Sequence, residues 1–293
     1  MITLTDINKT YGTHHVLRDV SFSIKPGLMT GFVGGNGAGK TTTMRIILGV
    51  LSHDSGEVTV NGERIDADFR ARVGYMPEER GLYPKMKVLD QLVFLGQLHG
   101  MSASSARSSA TDLLERLGLG ERGGDTLESL SLGNQQRAQI AAALVHQPTA
   151  LILDEPFSGL DPMAVDTTLE VLRDVAASGA PVLFSSHQLD VVERLCDELV
   201  IIASGQIAAA GTRDELLRAG AEPDWELRAG SDTGWVRDMP VTVREFDGGY
   251  VRFAARSLED ANAVLAEAQA RGTVLSFGQR TPTLHEIFTE AMR

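Results

Sequence analysis

The sequence predicts an α/β fold followed by a smaller α+β unit. The apolar run Met29–Val33 leads into a glycine-rich stretch and then into the helix-like segment 44–48. A second apolar run, residues 150–153, ends on an acidic pair. Strand, turn and helix in this order are typical of a β/α core. Beyond residue 224 apolar and polar residues alternate, which indicates a separate sheet of half-buried strands.

Length, charge and cysteine content narrow the class of protein. The chain has 293 residues, a formal net charge of −12 and one cysteine, Cys196. Because a domain typically has about 150 residues, this length predicts two domains. No basic stretch offsets the acidic charge, so no nucleic acid partner is expected. One cysteine cannot form an internal disulfide, which fits a reducing compartment, and Cys196 is predicted to be a small buried residue. We expect neither a signal peptide nor a membrane span, and hence a chain that is soluble on its own.

The glycine-rich stretch matches the phosphate-loop pattern G-x-x-x-x-G-K-[ST] in the required context of strand and helix. Glycines let the backbone bend around an anion, so that N–H groups and the positive end of the following helix point at phosphates. Lys40 adds a full positive charge, Thr41 is placed to ligate Mg²⁺, and Thr42 to reach a phosphate. The predicted loop consists of Gly34, Gly35, Asn36, Gly37, Ala38, Gly39, Lys40, Thr41 and Thr42.

Strand and helix patterns surround this loop. Short strands are expected at residues 2–4 and 20–24, and Asn61-Gly62 marks a two-residue hairpin turn after the strand 57–60. From residue 88 to 118 apolar residues fall at helical spacing. The sequence therefore predicts a helical insertion between two β/α halves.

The second half begins at Ser131, which starts an alanine-rich helix. This serine can be an ordinary N-cap or part of an anion-binding helix end. Asp154 ends an apolar strand, which predicts a carboxylate beside the phosphate loop that supports Mg²⁺ through water. Glu155 comes next and is placed to polarise an attacking water as a general base. Tyr11 can stack on a base, but its local sequence favours a half-buried tyrosine at a strand end.

Five motifs follow one another along the chain, namely the phosphate loop and the segments 130–135, 153–155, 158–161 and 185–187. Their order is similar to that in the nucleotide-binding subunit of an ATP-binding cassette (ABC) transporter. Over residues 1 to about 215 the chain resembles this family. The resemblance implies a P-loop NTPase fold of the cassette type, with a RecA-like β/α core, an antiparallel β subdomain and a helical subdomain at about 86–147. It also implies a Mg²⁺-dependent ATPase.

The resemblance assigns roles that local sequence does not. Tyr11 corresponds to the aromatic residue that stacks on adenine, which reverses its local interpretation. Glu155 corresponds to the catalytic carboxylate, and Asp154 to the acid that supports the metal. His187 corresponds to the histidine that contacts the γ-phosphate and positions water. Asp161 is expected at the junction of two subunits.

The resemblance also implies a site shared between two chains. Ser131 and Gly133 would touch the γ-phosphate of ATP held by the opposite subunit, so that ATP closes a homodimer, or a pair with a second cassette, and hydrolysis reopens it. This motion would drive a separate transmembrane permease, in an exporter rather than an importer. The chain is then expected in the cytoplasm, peripheral on the inner face of the cell membrane through the permease.

Three features depart from the family pattern. Glu78 stands where glutamine is usual, and its carboxylate can still meet Mg²⁺ or water. The signature reads Leu-Ser-Leu-Gly-Asn-Gln, so that Asn134 replaces the usual glutamine while Ser131 and Gly133 keep their places. Gly35 stands where proline is frequent, which loosens the loop.

The cassette is predicted to span residues 1–219 and an accessory α+β domain residues 224–293, with a linker at 219–223. Alternating strands, a helix at 257–271 and a final helix from residue 283 are expected in the accessory domain. It resembles the C-terminal region of drug- and ion-exporter cassettes, and dimerisation or regulation is its hypothesised role.

Two other functions compete with transport. A soluble cassette ATPase that acts on ribosomes or DNA is one alternative, although ribosome-acting members usually carry two cassettes and this acidic chain has one. A regulatory module that does not hydrolyse ATP is another, and the presence of Glu155 and His187 argues against it.

Overall fold

The computed structural model describes residues 1–79, 81–187, 189–219, 224–280 and 286. The chain divides into two compact units, the first of which comprises residues 1–213, while the second begins at Asp214. The sequence-based boundaries, 1–219 and 224–293, stay a prediction. Within the described ranges no helix combines the length and the apolar character that crossing a membrane requires.

The first unit contains two sheets and the helices that cover them. Its strands are β1 Ile2–Tyr11, β2 His14–Ile24, β3 Met29–Val33, β4 Ser55–Val60, β5 Glu63–Arg64, β6 Val73–Met76, β7 Ala150–Leu153, β8 Val182–Ser186, β9 Glu198–Ala203 and β10 Gln206–Thr212. Its helices are α1 Lys40–Ile47, α2 Ala67–Arg72, α3 Val88–Leu98, α4 Ala103–Arg116, α5 Leu132–Leu144, α6 Pro162–Ala177 and α7 Leu189–Leu195, and α8 Arg213–Ala219 begins at the boundary between the units.

The central sheet of the first unit has the strand order β10-β9-β3-β8-β7-β6. All neighbours pair in parallel except β10, which runs antiparallel to β9. Every residue of β3, β7 and β8 is buried. Because the strands are parallel, their carboxyl ends meet at one edge of the sheet, and the residues after β3, β7 and β8 lie there together.

The second sheet is antiparallel, with the order β2-β1-β4-β5. Strand β1 is 10 residues long and strand β2 is 11 residues long. The prediction of short strands at 2–4 and 20–24 was therefore wrong in extent. Register shifts interrupt their pairing, and Asp6 and Asp19 have positive φ angles. Such bulges break the two-residue alternation on which the prediction depended. The turn after β4 has positive φ at both Asn61 and Gly62, as the hairpin signal predicts.

A helical region formed by α3, α4 and α5 lies between β6 and β7 in the chain. The side chain of Ser102 caps α4 by accepting a hydrogen bond from the backbone N–H of Ser105. Ser131 caps α5 in the same way, through the N–H of Asn134.

Cys196 follows α7 and is half-buried rather than buried as the sequence had predicted. Its environment raises the pKa of the thiol to about 12, mainly through burial, so the thiolate that reacts is scarce at neutral pH.

The second unit is a small α+β structure. Its strands β11 Asp224–Ala229, β12 Thr242–Asp247, β13 Tyr250–Ala254 and β14 Val274–Arg280 form an antiparallel sheet in the order β12-β13-β11-β14, and its helix is α9 Leu258–Arg271. The core combines Leu227, Val251 and Phe253 of the sheet with Ala261 and Val264 of the helix. Of the predicted linker only Ala219 is described, as the last residue of α8. The final helix predicted from residue 283 lies outside the described residues, apart from position 286.

Candidate active site

The glycine-rich loop connects β3 to α1 in a conformation that glycine permits. Gly39 has a φ of 108°, and a Cβ atom there would lie 2.5 Å from Cδ2 of Leu17. Any larger residue would therefore be strained and would clash. No described side chain caps α1, and its first turn carries no acidic residue. Its first N–H groups are consequently available to an anion.

Lys40 is the first residue of α1 and is only 8% exposed. Its Nζ donates to the backbone oxygens of Gly34 at 2.7 Å and Gly35 at 3.3 Å. The ammonium group is thus held over the loop by the loop's own carbonyl groups. An incoming phosphate oxygen can replace these acceptors, because the ammonium group has three donor hydrogens.

Asp154 follows β7 and is 1% exposed. One carboxylate oxygen, Oδ2, accepts a hydrogen bond from Oγ1 of Thr41 at 2.7 Å, and the other, Oδ1, accepts one from Oγ of Ser185 at 2.5 Å. The hydroxyl of Thr41 and the carboxylate of Asp154 are the hard oxygen donors that Mg²⁺ prefers. The described residues contain no cluster of three His, Cys, Asp or Glu side chains suited to a metal ion.

Glu155 has a positive φ of 53°, which is unusual for a residue with a side chain. Its carboxylate is 10% exposed, and Oε2 lies 2.9 Å from Nδ1 of His187. A carboxylate only accepts hydrogen bonds, so Nδ1–H of the imidazole donates. The ring of His187 is 51% exposed, while the carboxylate it contacts is almost covered.

These groups line one open cleft with a volume of 570 Å³. The cleft brings together residues that are far apart in the sequence. Its lining residues are His14, Val16, Gly35, Asn36, Gly37, Gly39, Lys40, Thr41, Thr42, Glu78, Asp154, Glu155 and His187. The structure therefore brings together the phosphate loop, the candidate metal ligands Thr41, Glu78 and Asp154, and both candidate catalytic residues.

Tyr11 is not among the residues that line this cleft. Its ring is exposed at the end of β1, with Nζ of Lys9 5.4 Å from the ring centroid. Tyr11 pairs in register with His14, which does line the cleft. The role in stacking on adenine stays a prediction.

The signature residues at the start of α5 do not line the cleft either. Asn134 accepts a hydrogen bond from Arg137 within α5. A Cβ atom on Gly133 would lie 3.3 Å from the backbone oxygen of Gly159, so close packing within the chain already favours glycine there. Asp161 caps α6 by accepting a hydrogen bond from the N–H of Ala164 at 2.9 Å. All of these contacts lie within one chain, and contact with a second chain stays a prediction for Ser131, Gly133, Asn134 and Asp161.

Sequence reasoning missed two residues that hold Glu155. Oγ of Ser185 accepts a hydrogen bond from the backbone N–H of Glu155 at 2.8 Å. Nε2 of Gln136 donates to the backbone oxygens of Glu155 at 2.9 Å and Pro156 at 3.1 Å. The signal in the sequence was a serine directly after the apolar residues of β8 and a glutamine on the buried side of α5. His14 and Val16 were also missed as lining residues.

The parallel sheet, the glycine-rich loop and the paired acids define a P-loop ATPase. A family model described as ABC transporter matches residues 17–158, and one described as the C-terminal domain of DrrA1-3-like ATP-binding proteins matches residues 211–292. Relatives at least 35% identical over nearly the whole chain show that it belongs to the family of ABC transporter ATP-binding proteins. This confirms the resemblance, the cassette-type fold and the role of an ATP-hydrolysing, ATP-binding subunit.

Known proteins resemble the chain over nearly its whole length. It is 36% identical to the uncharacterized ABC transporter ATP-binding protein YhaQ of Bacillus subtilis, over 99% of this chain and 98% of the relative. It is 35% identical to the linearmycin resistance ATP-binding protein LnrL of the same organism, over 98% of this chain and 97% of the relative. A solved dimeric structure of a bacterial ABC transporter cassette superposes with a TM-score of 0.67 at 25% identity, over 72% of this chain and 98% of that one.

Proposed function

We propose that the chain drives export through a separate membrane permease, by closing as a dimer on ATP and reopening after hydrolysis. The arrangement of Thr41, Asp154, Glu155 and His187 around the phosphate-loop cleft carries this proposal. The same cleft suits a triphosphate at one end and an attacking water at the other. The likeness to a linearmycin resistance ATP-binding protein favours export.

The phosphate loop and the start of α1 bind the phosphates of ATP. Backbone N–H groups point at the anion, and Lys40 exchanges its contacts with the loop carbonyls for phosphate oxygens. Thr42 adds a hydroxyl donor next to Thr41. The carbonyl oxygens of the loop then accept hydrogen bonds from other donors or from water.

Thr41 and Asp154 would hold Mg²⁺, with Glu78 as a further carboxylate at the cleft. The chemistry that such a cation would supply there is neutralisation of the negative charge that develops on the phosphate oxygens. Thr41 and Asp154 already contact each other, so both oxygen donors are oriented toward one point before any ligand arrives. Asp154 is held on its other side by Ser185, which limits its rotation.

Glu155 acts on the attacking water. Its nearly covered carboxylate faces the cleft and accepts the water proton as the water oxygen bonds to the γ-phosphorus and the bond from this phosphorus to the departing oxygen of ADP breaks. His187 orients this carboxylate through Nδ1 and leaves its second ring nitrogen for the γ-phosphate. The pair thus couples the position of the water to the presence of the terminal phosphate.

A second copy of the chain completes the site. Ser131 and Leu132 at the tip of α5 are exposed, and Leu132 is 60% exposed. An exposed apolar residue beside an exposed helix start suits a contact with another subunit. ATP that contacts Lys40 of one subunit and Ser131 of the other stabilises the closed dimer, whereas ADP lacks the bridging phosphate. The chain would work on the cytoplasmic side of the membrane, attached through its permease.

Co-purification with a tagged candidate permease and transport into inverted vesicles test this function. ATP-dependent accumulation inside inverted vesicles supports export, because their cytoplasmic face points outward. The Glu155→Gln variant serves as the control for ATP turnover. ATP hydrolysis without any associated membrane protein, together with binding to ribosomes or DNA, would contradict transport.

A further inference from the structure

Ser185 connects the two acidic residues of the site through a single hydroxyl. It is the fourth residue of β8 and is 0% exposed. Its Oγ donates to Oδ1 of Asp154 at 2.5 Å and accepts from the N–H of Glu155 at 2.8 Å. A serine hydroxyl supplies one donor hydrogen and two acceptor lone pairs, so both bonds form at once.

The bond to Asp154 selects the role of each carboxylate oxygen. Because Ser185 occupies Oδ1, Oδ2 is the oxygen that faces Oγ1 of Thr41. Without the hydroxyl, the Asp154 carboxylate is free to rotate and Oδ1 loses its partner in a buried place. Both oxygens then compete for the same position beside Thr41.

The bond to Glu155 supports an unfavourable backbone conformation. The φ of 53° at Glu155 is in the left-handed region, which residues with a Cβ atom rarely adopt. Ser185 holds the N–H of this residue, and Gln136 holds its carbonyl oxygen from α5. Anchoring the backbone on both sides fixes the direction in which the side chain leaves it, toward His187.

We propose that Ser185 is a positioning residue for ATP hydrolysis, which acts through Asp154 and Glu155 and does not touch the nucleotide. This inference rests on the proposed roles of these two acids. Ser185 lowers the entropic cost of reaching the reactive geometry, because it holds the metal-supporting carboxylate and the water-activating residue in register with each other. A merely structural serine would instead change stability and leave turnover intact.

Steady-state ATPase kinetics of the purified full chain test the proposal. Ser185→Ala removes the hydroxyl and Ser185→Thr retains it. Ser178→Ala is the matched control, since the Oγ of Ser178 donates to the backbone oxygen of Val175 at the end of α6, outside the cleft. Thermal melting and the affinity for a fluorescent ATP analogue without Mg²⁺ are measured in parallel.

We expect Ser185→Ala to lower kcat at least about tenfold, while KM for ATP and affinity for the analogue change less than about twofold. The Mg²⁺ concentration for half-maximal activity should rise, and Ser185→Thr should recover most of kcat. If the threonine variant does not fold, Ser185→Cys replaces it, because its sulfur fills the space but bonds weakly, and it should be as slow as alanine. A kcat within about twofold of the parent in the folded alanine or cysteine variant would overturn the proposal.

A parallel Glu155→Gln variant separates the two possible failures. If Glu155→Gln is inactive and Ser185→Ala keeps its kcat, only the role of Ser185 is wrong. If Glu155→Gln keeps its kcat, the proposed function of Glu155 is wrong. The proposed positioning role of Ser185 is then wrong as well, because it depends on that function. With both correct, adding Ser185→Ala to Glu155→Gln lowers the residual rate by a smaller factor than Ser185→Ala lowers the parent rate, because only the effect through Asp154 remains and residues that act through one another are not additive.

Discussion

Glu155 and His187 meet across the end of the central sheet, with Oε2 of the carboxylate 2.9 Å from Nδ1 of the imidazole. One partner follows β7 and the other follows β8, and these strands are direct neighbours. The pairing joins a nearly covered carboxylate to a half-exposed ring at the mouth of the phosphate-loop cleft. A water bound between the carboxylate and a terminal phosphate would contact both residues.

Glu155→Gln should abolish turnover and preserve nucleotide binding. The amide has nearly the same shape but cannot take a proton from water, so we expect kcat to fall by about a hundredfold or more. ATP should then accumulate in a closed dimer, measured by size-exclusion chromatography with light scattering. Glu170→Gln, on the exposed side of α6, is the control and should behave as the parent. A variant that stays monomeric with ATP shown to be bound would contradict the shared site.

His187→Ala should slow hydrolysis with little effect on folding. The ring orients Glu155, and its loss should lower kcat by about tenfold or more. Because the ring is 51% exposed, the free energy of unfolding should change by less than about 1 kcal/mol. Phosphate release and urea unfolding measure the two effects, with His53→Ala outside the cleft as control. An unchanged kcat would contradict a role of His187 in ATP hydrolysis.

Lys40→Ala should lose ATP affinity. The ammonium group supplies hydrogen bonds from a charged donor, which are worth about 1.5–3 kcal/mol, so affinity should fall about 10- to 100-fold. Isothermal titration calorimetry with ATP measures this loss. Lys85→Ala removes the same charge from an exposed loop residue outside the cleft and should leave affinity unchanged. Equal affinities of the two variants would contradict the assignment of the phosphate loop.

His146 should make stability depend on pH in the weakly acidic range. Burial, and to a smaller extent the neighbouring His99, lower the pKa of His146 from 6.5 to about 4, and the two rings stack with centroids 3.7 Å apart. The unfolded chain therefore takes up the proton first, and stability falls as the pH drops from 6.5 toward about 4. Because the ring is not fully buried, we expect a loss of about 1 kcal/mol.

Urea unfolding at a series of pH values measures this effect. His146→Phe keeps a flat ring against His99 but cannot take up a proton. The difference in stability between parent and variant should therefore grow in favour of the variant as the pH falls. A difference that does not change with pH would contradict a depressed pKa at His146.

The parts of the site that are continuous in sequence could be predicted from it. Residues 34–42 contain the complete phosphate loop, and the apolar run before Asp154 predicts a strand that ends beside it. Ser185 and Gln136 could not be found in this way, because their partner Glu155 is about 20 to 30 residues away in the sequence. Ser185 reaches it because β8 lies beside β7, and Gln136 reaches it from helix α5. The bulges in β1 and β2 were missed for a related reason, since a residue inserted into a strand destroys the alternation that identifies it.

The central claim is that each ATP is bound by the phosphate loop of one subunit and the Ser131 end of α5 from its partner. Mixing two inactive variants tests this claim most directly. Lys40→Ala removes the ammonium group from the phosphate loop, and Ser131→Arg blocks the helix end, so every site in either homodimer is impaired in one of its two parts. A mixed dimer contains one complete site, formed by the loop of the Ser131→Arg chain and the Ser131 of the Lys40→Ala chain.

An equal mixture should regain about a quarter of the parent ATPase activity, because half of the randomly formed dimers are mixed and each has one complete site of two. The control is a mixture of Lys40→Ala with the double variant Lys40→Ala, Ser131→Arg, which forms no complete site and should stay inactive. Recovery in the first mixture alone is the result that a shared site predicts. Activity no greater than the sum of the two separate variants, with mixed dimers shown to be present, would contradict it.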